Sequence, residues 1–172
     1  MKPKKIKTTD LVVIAFLIAI EIVLTRFVSI ETPMFRIGFG FLPLAFVGIL
    51  YGPVWGGICG AVGDVMGMFI FPKFSYFPGF TLTAFLTGAV YGAVLHNKPV
   101  TWKRTFLSAL IVCGILNLIL DTYWIYIMYG QALLAMLPGR LMRTAVMVPL
   151  QTFLIRFMWD RCSFVFKKVR GV

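Results

Sequence analysis

Charge is scarce in this sequence, and acid scarcer than base. Only 13% of its 172 residues are charged, 17 Lys or Arg against 6 Asp or Glu for a net charge of +11, where an ordinary soluble domain carries about 25%. In a soluble protein that basic excess would suggest nucleic acid. With 60% hydrophobic residues and a mean hydropathy of +0.92 it argues for a lipid bilayer instead, and no nucleic-acid partner is expected. His96 is the only histidine, which excludes an H-E-x-x-H metal site. Cys59, Cys113 and Cys162 are scattered, giving neither zinc-ligand spacing nor a disulfide framework. The absence of any Gly-Lys dipeptide excludes a nucleotide-cradling P-loop, and no serine occupies a G-x-S-x-G elbow. No metal or cofactor is expected, catalysis has little to stand on, and ATP that drives transport must be hydrolysed by another polypeptide. The remaining enzymatic reading is a carboxylate enzyme using Asp64 and Asp121 on a lipid or isoprenoid.

Alternation of apolar and polar residues at period two is also missing, which sets aside a membrane β-barrel. Leu11 to Ile20, Ile37 to Gly63 and Phe106 to Leu120 are instead continuously apolar, and only helices and closed barrels satisfy every backbone group in lipid. The expected fold is an all-α integral membrane protein, a single domain over 1–172. Gly, Pro and charge breakpoints place six transmembrane helices at about 10–29, 38–51, 54–71, 80–95, 102–129 and 140–166, with a kink at Pro149. The basic N-terminus followed by an apolar stretch resembles a secretory signal, but Glu21 and Arg26 interrupt it and no small-residue cleavage site follows, so it reads as a retained first helix.

Six spans put both termini on one side. Lys2, Lys4, Lys5 and Lys7 lie at one end of the chain and Lys167, Lys168 and Arg170 at the other. Lys98, Lys103 and Arg104 join them between the fourth and fifth helices, while the opposite loops hold only Arg36 and Lys73. The positive-inside rule makes both termini cytoplasmic, and contact with anionic lipid is the simplest further role for the tails.

The third helix is dense in glycine, with Gly56/Gly60 and Gly63/Gly67 each at i, i+4, so neighbouring backbones can approach closely. Ala15 and Ala19 in the first helix have the same spacing; on spacing alone internal packing comes first, and a docking face for another membrane protein second. Glu21, Arg26, Asp64, Asp121, Arg140 and Arg143 stand out as ionisable residues within spans, where such groups are costly and face an interior or a watery cavity. Arg26, Arg36, Arg140 and Arg143 converge near the outer face and together favour an anionic ligand held by guanidinium forks, although any one of them alone reads equally well as snorkelling to headgroups. Asp64 lies among glycines, and a buried carboxylate needs donors: a neighbouring arginine, or the nitrogens of a heterocycle. Asn117, Asp121 and Trp124 form a second polar and aromatic patch, with a structural hydrogen-bond cluster as the alternative. The stretch from Phe74 to Phe85 groups Tyr76, Phe77 and Phe80 with the hydroxyls of Thr81 and Thr83 around Pro78 and Gly79. It suits either an interfacial aromatic belt or a stacking slot over a flat ligand at a helix N-terminus.

Several segments carry a family resemblance: Ala15-Phe-Leu-Ile-Ala19, Thr25-Arg-Phe-Val-Ser-Ile-Glu-Thr-Pro33, Arg36-Ile-Gly-Phe-Gly-Phe-Leu-Pro43, Tyr51-Gly-Pro-Val-Trp-Gly-Gly57 and Phe77-Pro-Gly-Phe-Thr-Leu-Thr-Ala-Phe85. They resemble the substrate-binding S components of energy-coupling factor (ECF) vitamin transporters, and among these the folate-specific branch. The resemblance implies an S-component-like bundle with a vitamin pocket near the outer face, an Ala15/Ala19 surface that docks on a transmembrane coupling (T) subunit, and two ATPase subunits completing the importer. For folate, the residue types match Asp64 to the pterin edge, with Asn117 or Asp121 as alternates. Tyr76, Phe77, Phe80 and Trp124 suit stacking, aided by Gly79, Thr81 and Thr83, and Arg26 and Arg36 suit the glutamate tail, with Arg143 a weaker addition. An S component for riboflavin or pantothenate is the nearer alternative, the lipid-modifying enzyme the more distant one.

Overall fold

The computed structural model describes residues 8–31, 36–72, 76–130 and 133–170. Lys2, Lys4, Lys5, Lys7, Lys73 and Phe74 lie outside the described residues, as do the side chains of Arg36, Lys167, Lys168 and Arg170. The chain forms helix α1 (Thr8–Arg26), a two-residue antiparallel ladder of β1 (Ile30–Glu31) with β2 (Arg36–Ile37), and helices α2 (Phe41–Tyr51), α3 (Pro53–Ile70) and α4 (Pro78–Leu95). Helix α5 (Trp102–Leu110) continues through a π-helical stretch, Ile111–Leu120, into α6 (Asp121–Tyr129), and α7 (Leu133–Arg170) completes the fold.

Five of these rods are long and apolar enough to cross a bilayer: Thr8–Arg26, Pro53–Ile70, Pro78–Leu95, Trp102–Met128 and Leu137–Cys162. Helix α2 is not, since its 11 residues rise only about 16 Å against a hydrocarbon core of about 30 Å. It is apolar all round and nearly every residue from Phe41 to Leu50 is buried, so it serves as a core helix wrapped by α1, α3, α4 and α7.

Glycine sets how α2, α3 and α4 meet. Gly52, at φ +93, makes a turn open to few other residues, and Pro53 starts α3 immediately after it. A Cβ on Gly88 would fall on the Gly56 carbonyl, one on Gly60 on the Ala84 carbonyl, and one on Gly92 on the Pro53 backbone. These pairings run α3 antiparallel to α4, and the approach of Gly48 to Gly56 with Leu44 to Gly60 makes α2 antiparallel to α3 as well. Gly63 and Gly67 turn instead toward α1, where they meet Glu21 and Arg26 in the same order, so α1 and α3 are parallel. Gly88→Ala is therefore expected to cost about 2 kcal/mol through overpacking against backbone. The loss reads as a fall of roughly 4–8 °C in melting temperature in detergent. Gly114→Ala is the control, because nothing lies within 4 Å of a Cβ there.

Three boundaries and one helix interior differ from the sequence reading. Helix α1 stops at Arg26 rather than near Ser29, because the chain turns there into the small ladder. The expected span from residue 38 begins only at Phe41. The helix expected over 102–129 is π-helical in its middle, and the last helix starts at Leu133, with Pro138 inside it rather than in a loop. A proline so close to a helix start forfeits one backbone bond without breaking the rod.

Candidate functional site

Helix α4 organises the polar residues. Pro78 opens it, and the two threonines that follow, Thr81 and Thr83, are about 200° apart around the axis, so they face opposite neighbours. Thr81 Oγ1 donates to Asp64 Oδ2 on α3 at 2.8 Å and lies 3.3 Å from the Tyr76 hydroxyl. Thr83 faces α6: its hydroxyl accepts from Trp124 Nε1 at 3.2 Å and lies 3.2 Å from the Gly79 carbonyl. Asp121 is also within hydrogen-bond reach of that hydroxyl, whose one proton serves either acceptor in turn. Asp64 and Asp121 thus flank the same two turns of α4 and act on each other by charge.

An aromatic wall closes over this start. The Phe77 and Trp124 rings lie 5.6 Å apart at 50°, Phe77 and Phe80 6.2 Å apart at 74°, and Tyr123 and Trp124 5.2 Å apart. Gly79 is what lets them meet, because a Cβ there would strike both Phe77 and Trp124. Tyr76 remains exposed beside them.

Cations come from α7. Arg140 is 6% exposed and donates from Nη1 to Thr122 Oγ1 at 2.7 Å, with the Asn117 carbonyl at 3.5 Å. Arg143 interacts by charge with Asp121 and with Cys113, and Asn117 bonds the Cys113 side chain. Two polar atoms in this group are buried with no hydrogen-bond partner among the described residues, Asp121 Oδ1 and Arg140 Nε. In a low-dielectric setting such atoms are costly unless something supplies the missing partner. Beneath them Tyr91 donates to Gln151 Oε1 at 2.9 Å and Cys113 Sγ lies 3.3 Å from the same oxygen, tying α4 and the π-helical stretch to α7.

Of the sequence-derived candidates, the structure gathers Asp64, Tyr76, Phe77, Gly79, Phe80, Thr81, Thr83, Asn117, Asp121, Trp124 and Arg143 around α4, α6 and the start of α7. Arg26 is buried at the end of α1, its guanidinium filling the space of a Cβ on Gly67, one turn beyond Asp64. Arg36 lies in β2, its side chain outside the described residues. Ala15 and Ala19 are not brought to the site; both are exposed on α1. Arg140, visible in the sequence as a charge within a span, belongs with the candidates, and so does its partner Thr122. Gln151 and Tyr91 carry no charge and gave no signal.

Residues 9–157 match the family described as ECF transporter, substrate-specific component. The chain belongs to that family. Substrate-specific components are substrate-binding transport subunits, so the lipid-modifying enzyme is set aside. Two curated relatives are named folate transporter FolT. The one from Clostridium novyi (strain NT) is 45% identical over 153 residues, covering 89% of each chain. The one from Leuconostoc mesenteroides subsp. mesenteroides is 29% identical over 160 residues, covering 90% of this chain and 86% of the relative. Among solved structures, one described as FolT bound with folic acid matches with a TM-score of 0.86 and 40% identity, over 90% of this chain and 95% of that one. This substrate-specific component is therefore a membrane protein whose helices, length and sequence agree with FolT nearly end to end.

Proposed function

We propose that this chain is the folate-binding subunit of an ECF-type importer in a bacterial cell membrane, capturing folate at the outer face and delivering it inward with a transmembrane coupling subunit and two ATPases. The observation that carries this reading is the 40% identical match to FolT bound with folic acid over 90% of the chain. The chemistry of the site agrees with it. Folate joins a flat pterin, whose amino edge offers adjacent N–H donors, to an aminobenzoyl group and an anionic glutamate. The Phe77, Phe80 and Trp124 rings suit stacking, with Tyr76 at the mouth. Asp121 suits the pterin edge better than Asp64, because Asp121 Oδ1 is an acceptor left open while Asp64 Oδ2 already accepts from Thr81. Thr81 and Thr83 orient the two carboxylates, Asn117 bonds the neighbouring Cys113 side chain, and Gly79 lets the rings approach. Arg143, Arg140, Arg26 and Arg36 are the cations that suit the glutamate carboxylates.

The same reading makes six crossings, with α2 and the chain leading into it completing the second, and places both termini in the cytoplasm. The alternating directions of α2, α3 and α4 and the exposed Lys98 after α4 and Lys103 at the start of α5 support that orientation. Titration of folate into the purified, detergent-solubilised chain, followed by tryptophan fluorescence and calorimetry, is the test. Saturable one-to-one binding is expected, with riboflavin and pantothenate failing to compete; preference for either of those would reassign the vitamin.

A further inference from the structure

The end of the bundle that carries the connection from α4 to α5 holds a feature with no part in vitamin capture. Trp102, at the start of α5, lies 6.3 Å from the ring of Phe153 on α7, Phe153 stacks on Phe157 at 5.8 Å and 11°, and the Arg161 guanidinium sits 5.6 Å from the centre of the Phe157 ring. Residues 153, 157 and 161 recur at i, i+4 and i+8, so they share one face of α7, and all four side chains are exposed. Arg156 anchors the array. Its Nη1 donates to the Val100 carbonyl just ahead of α5, and its Nε faces Asp160 Oδ2 at 3.2 Å. Asp160 is the one carboxylate in the sequence of α7, and Arg156 engages it, which leaves Arg161 as the outward cation of the array, with the exposed Lys103 next to Trp102.

We propose that this ladder of Trp102, Phe153, Phe157 and Arg161 is a binding site for one anionic phospholipid, with Arg161 on the phosphate and the rings against the glycerol and the first methylenes of an acyl chain. Depth supports it. Trp102 is the first residue of one membrane span and Arg161 the last but one of another, so the ladder lies where hydrocarbon gives way to headgroups. Charge supports it as well, because a guanidinium held over an aromatic face spends none of its N–H donors on the ring and keeps the fork that matches a phosphate. An interfacial belt needs only separate rings. Here the rings touch in sequence across the seam of two helices and end on a cation, which is the shape of a chain with a charged head. Helix α1, which carries Ala15 and Ala19, packs on α2 and α3, whereas α5 packs on α4 and α7, and that leaves the side of α5 and α7 to lipid.

Native mass spectrometry of the purified chain in neutral detergent, with dioleoylphosphatidylglycerol and dioleoylphosphatidylcholine as the probes, counts the bound lipids. One phosphatidylglycerol is expected to be held about fivefold more tightly than phosphatidylcholine, the factor that one cation near a membrane surface contributes toward anionic lipid. Arg161→Gln is expected to erase that preference. Phe157→Ala, which removes the ring under the guanidinium together with an apolar rung, weakens phosphatidylglycerol by a similar factor. Lys98→Gln takes away an exposed cation outside the ladder and leaves the preference intact, and it and Arg161→Gln melt within about 4 °C of the wild type. Equal retention of the two lipids by the wild type overturns the proposal. So does a preference that survives Arg161→Gln, or one that Lys98→Gln lowers as much, the mark of diffuse attraction to a basic end. An Arg161→Gln chain that binds both lipids as the wild type does but is captured less well by the coupling subunit makes the ladder a protein contact instead.

Discussion

Asp121→Asn is expected to bind folate roughly 10- to 100-fold more weakly than the wild-type chain, the loss that follows from removing one charge-assisted hydrogen bond worth about 1.5–3 kcal/mol. Asparagine keeps the shape of the side chain, so the Phe77–Trp124 wall and the Thr83 contact are undisturbed in outline. What disappears is the negative charge and the open Oδ1 acceptor. The free chain also suffers, because Asp121 is the carboxylate that faces Arg143 and Arg140, and a buried pair that loses one partner costs about 3 kcal/mol or more. The two effects separate experimentally. Binding is measured on protein shown to be folded, and the same titration is run with a folate analogue lacking the pterin amino group. If Asp121 meets that edge, the analogue loses affinity for the wild type but little more for Asp121→Asn, a coupling above about 1 kcal/mol in the cycle. Additive losses would remove Asp121 from the pterin edge. Asp64→Asn is expected to lose less, since Thr81 already occupies its Oδ2.

The residues that make this experiment worth doing were conspicuous in the sequence for one physical reason. Ionisable groups inside apolar runs are costly, so Asp64, Asp121 and Arg143 stood out without a structure. Thr81, Thr83 and Trp124 were found by proximity to those charges or to the Pro78-Gly79 helix start. Residues whose role depends on what they meet across a seam were not legible in that way. Glu21 and Arg140 registered as charges, but the Gly63 notch and the Thr122 hydroxyl that give them their places lie 42 and 18 positions away in the chain. Gln151 and Tyr91 are uncharged and sit in apolar stretches, so nothing marked them before their hydrogen bond was seen.

The same distinction applies to the helices. Continuous apolar runs located α1, α3 and α4 within a few residues. Hydropathy does not tell a helix that crosses lipid from one buried among other helices, and α2 is apolar for the second reason. The π-helical stretch over Ile111–Leu120 contains no proline, and its one glycine, Gly114, has open space beside it. Neither its composition nor its apolar pattern distinguishes it from an α-helix. It carries Cys113 and Asn117 toward Gln151 and Arg143, which agrees with the tendency of such stretches to occur at functional sites.

Replacing both Ala15 and Ala19 by tryptophan is expected to leave folate binding by the isolated chain within about twofold of wild type, because surface substitutions away from packed contacts rarely change stability by more than about 0.5 kcal/mol. Folate uptake by the assembled importer should fall to background. The two alanines are exposed on α1, flanked by the larger exposed side chains of Leu11, Val12, Phe16 and Val23. In water such a stripe would demand cover; in lipid it does not, and its distinguishing feature is shape. Two methyl groups one turn apart leave a shallow trough into which a neighbouring helix can settle at close backbone distance, and in a bilayer that van der Waals fit is the main source of association. Two indole rings fill the trough outright. Internal packing, the reading that spacing alone favours, makes the opposite prediction: tryptophans at packed positions would unfold the chain and abolish binding with uptake. The exposure of both alanines already weighs against it, since neither approaches α2 or α3 as Ile14 and Leu17 do. Uptake that survives the double substitution would place the docking surface elsewhere, and the exposed Phe27 and Val28 just past the end of α1 would be the next to test.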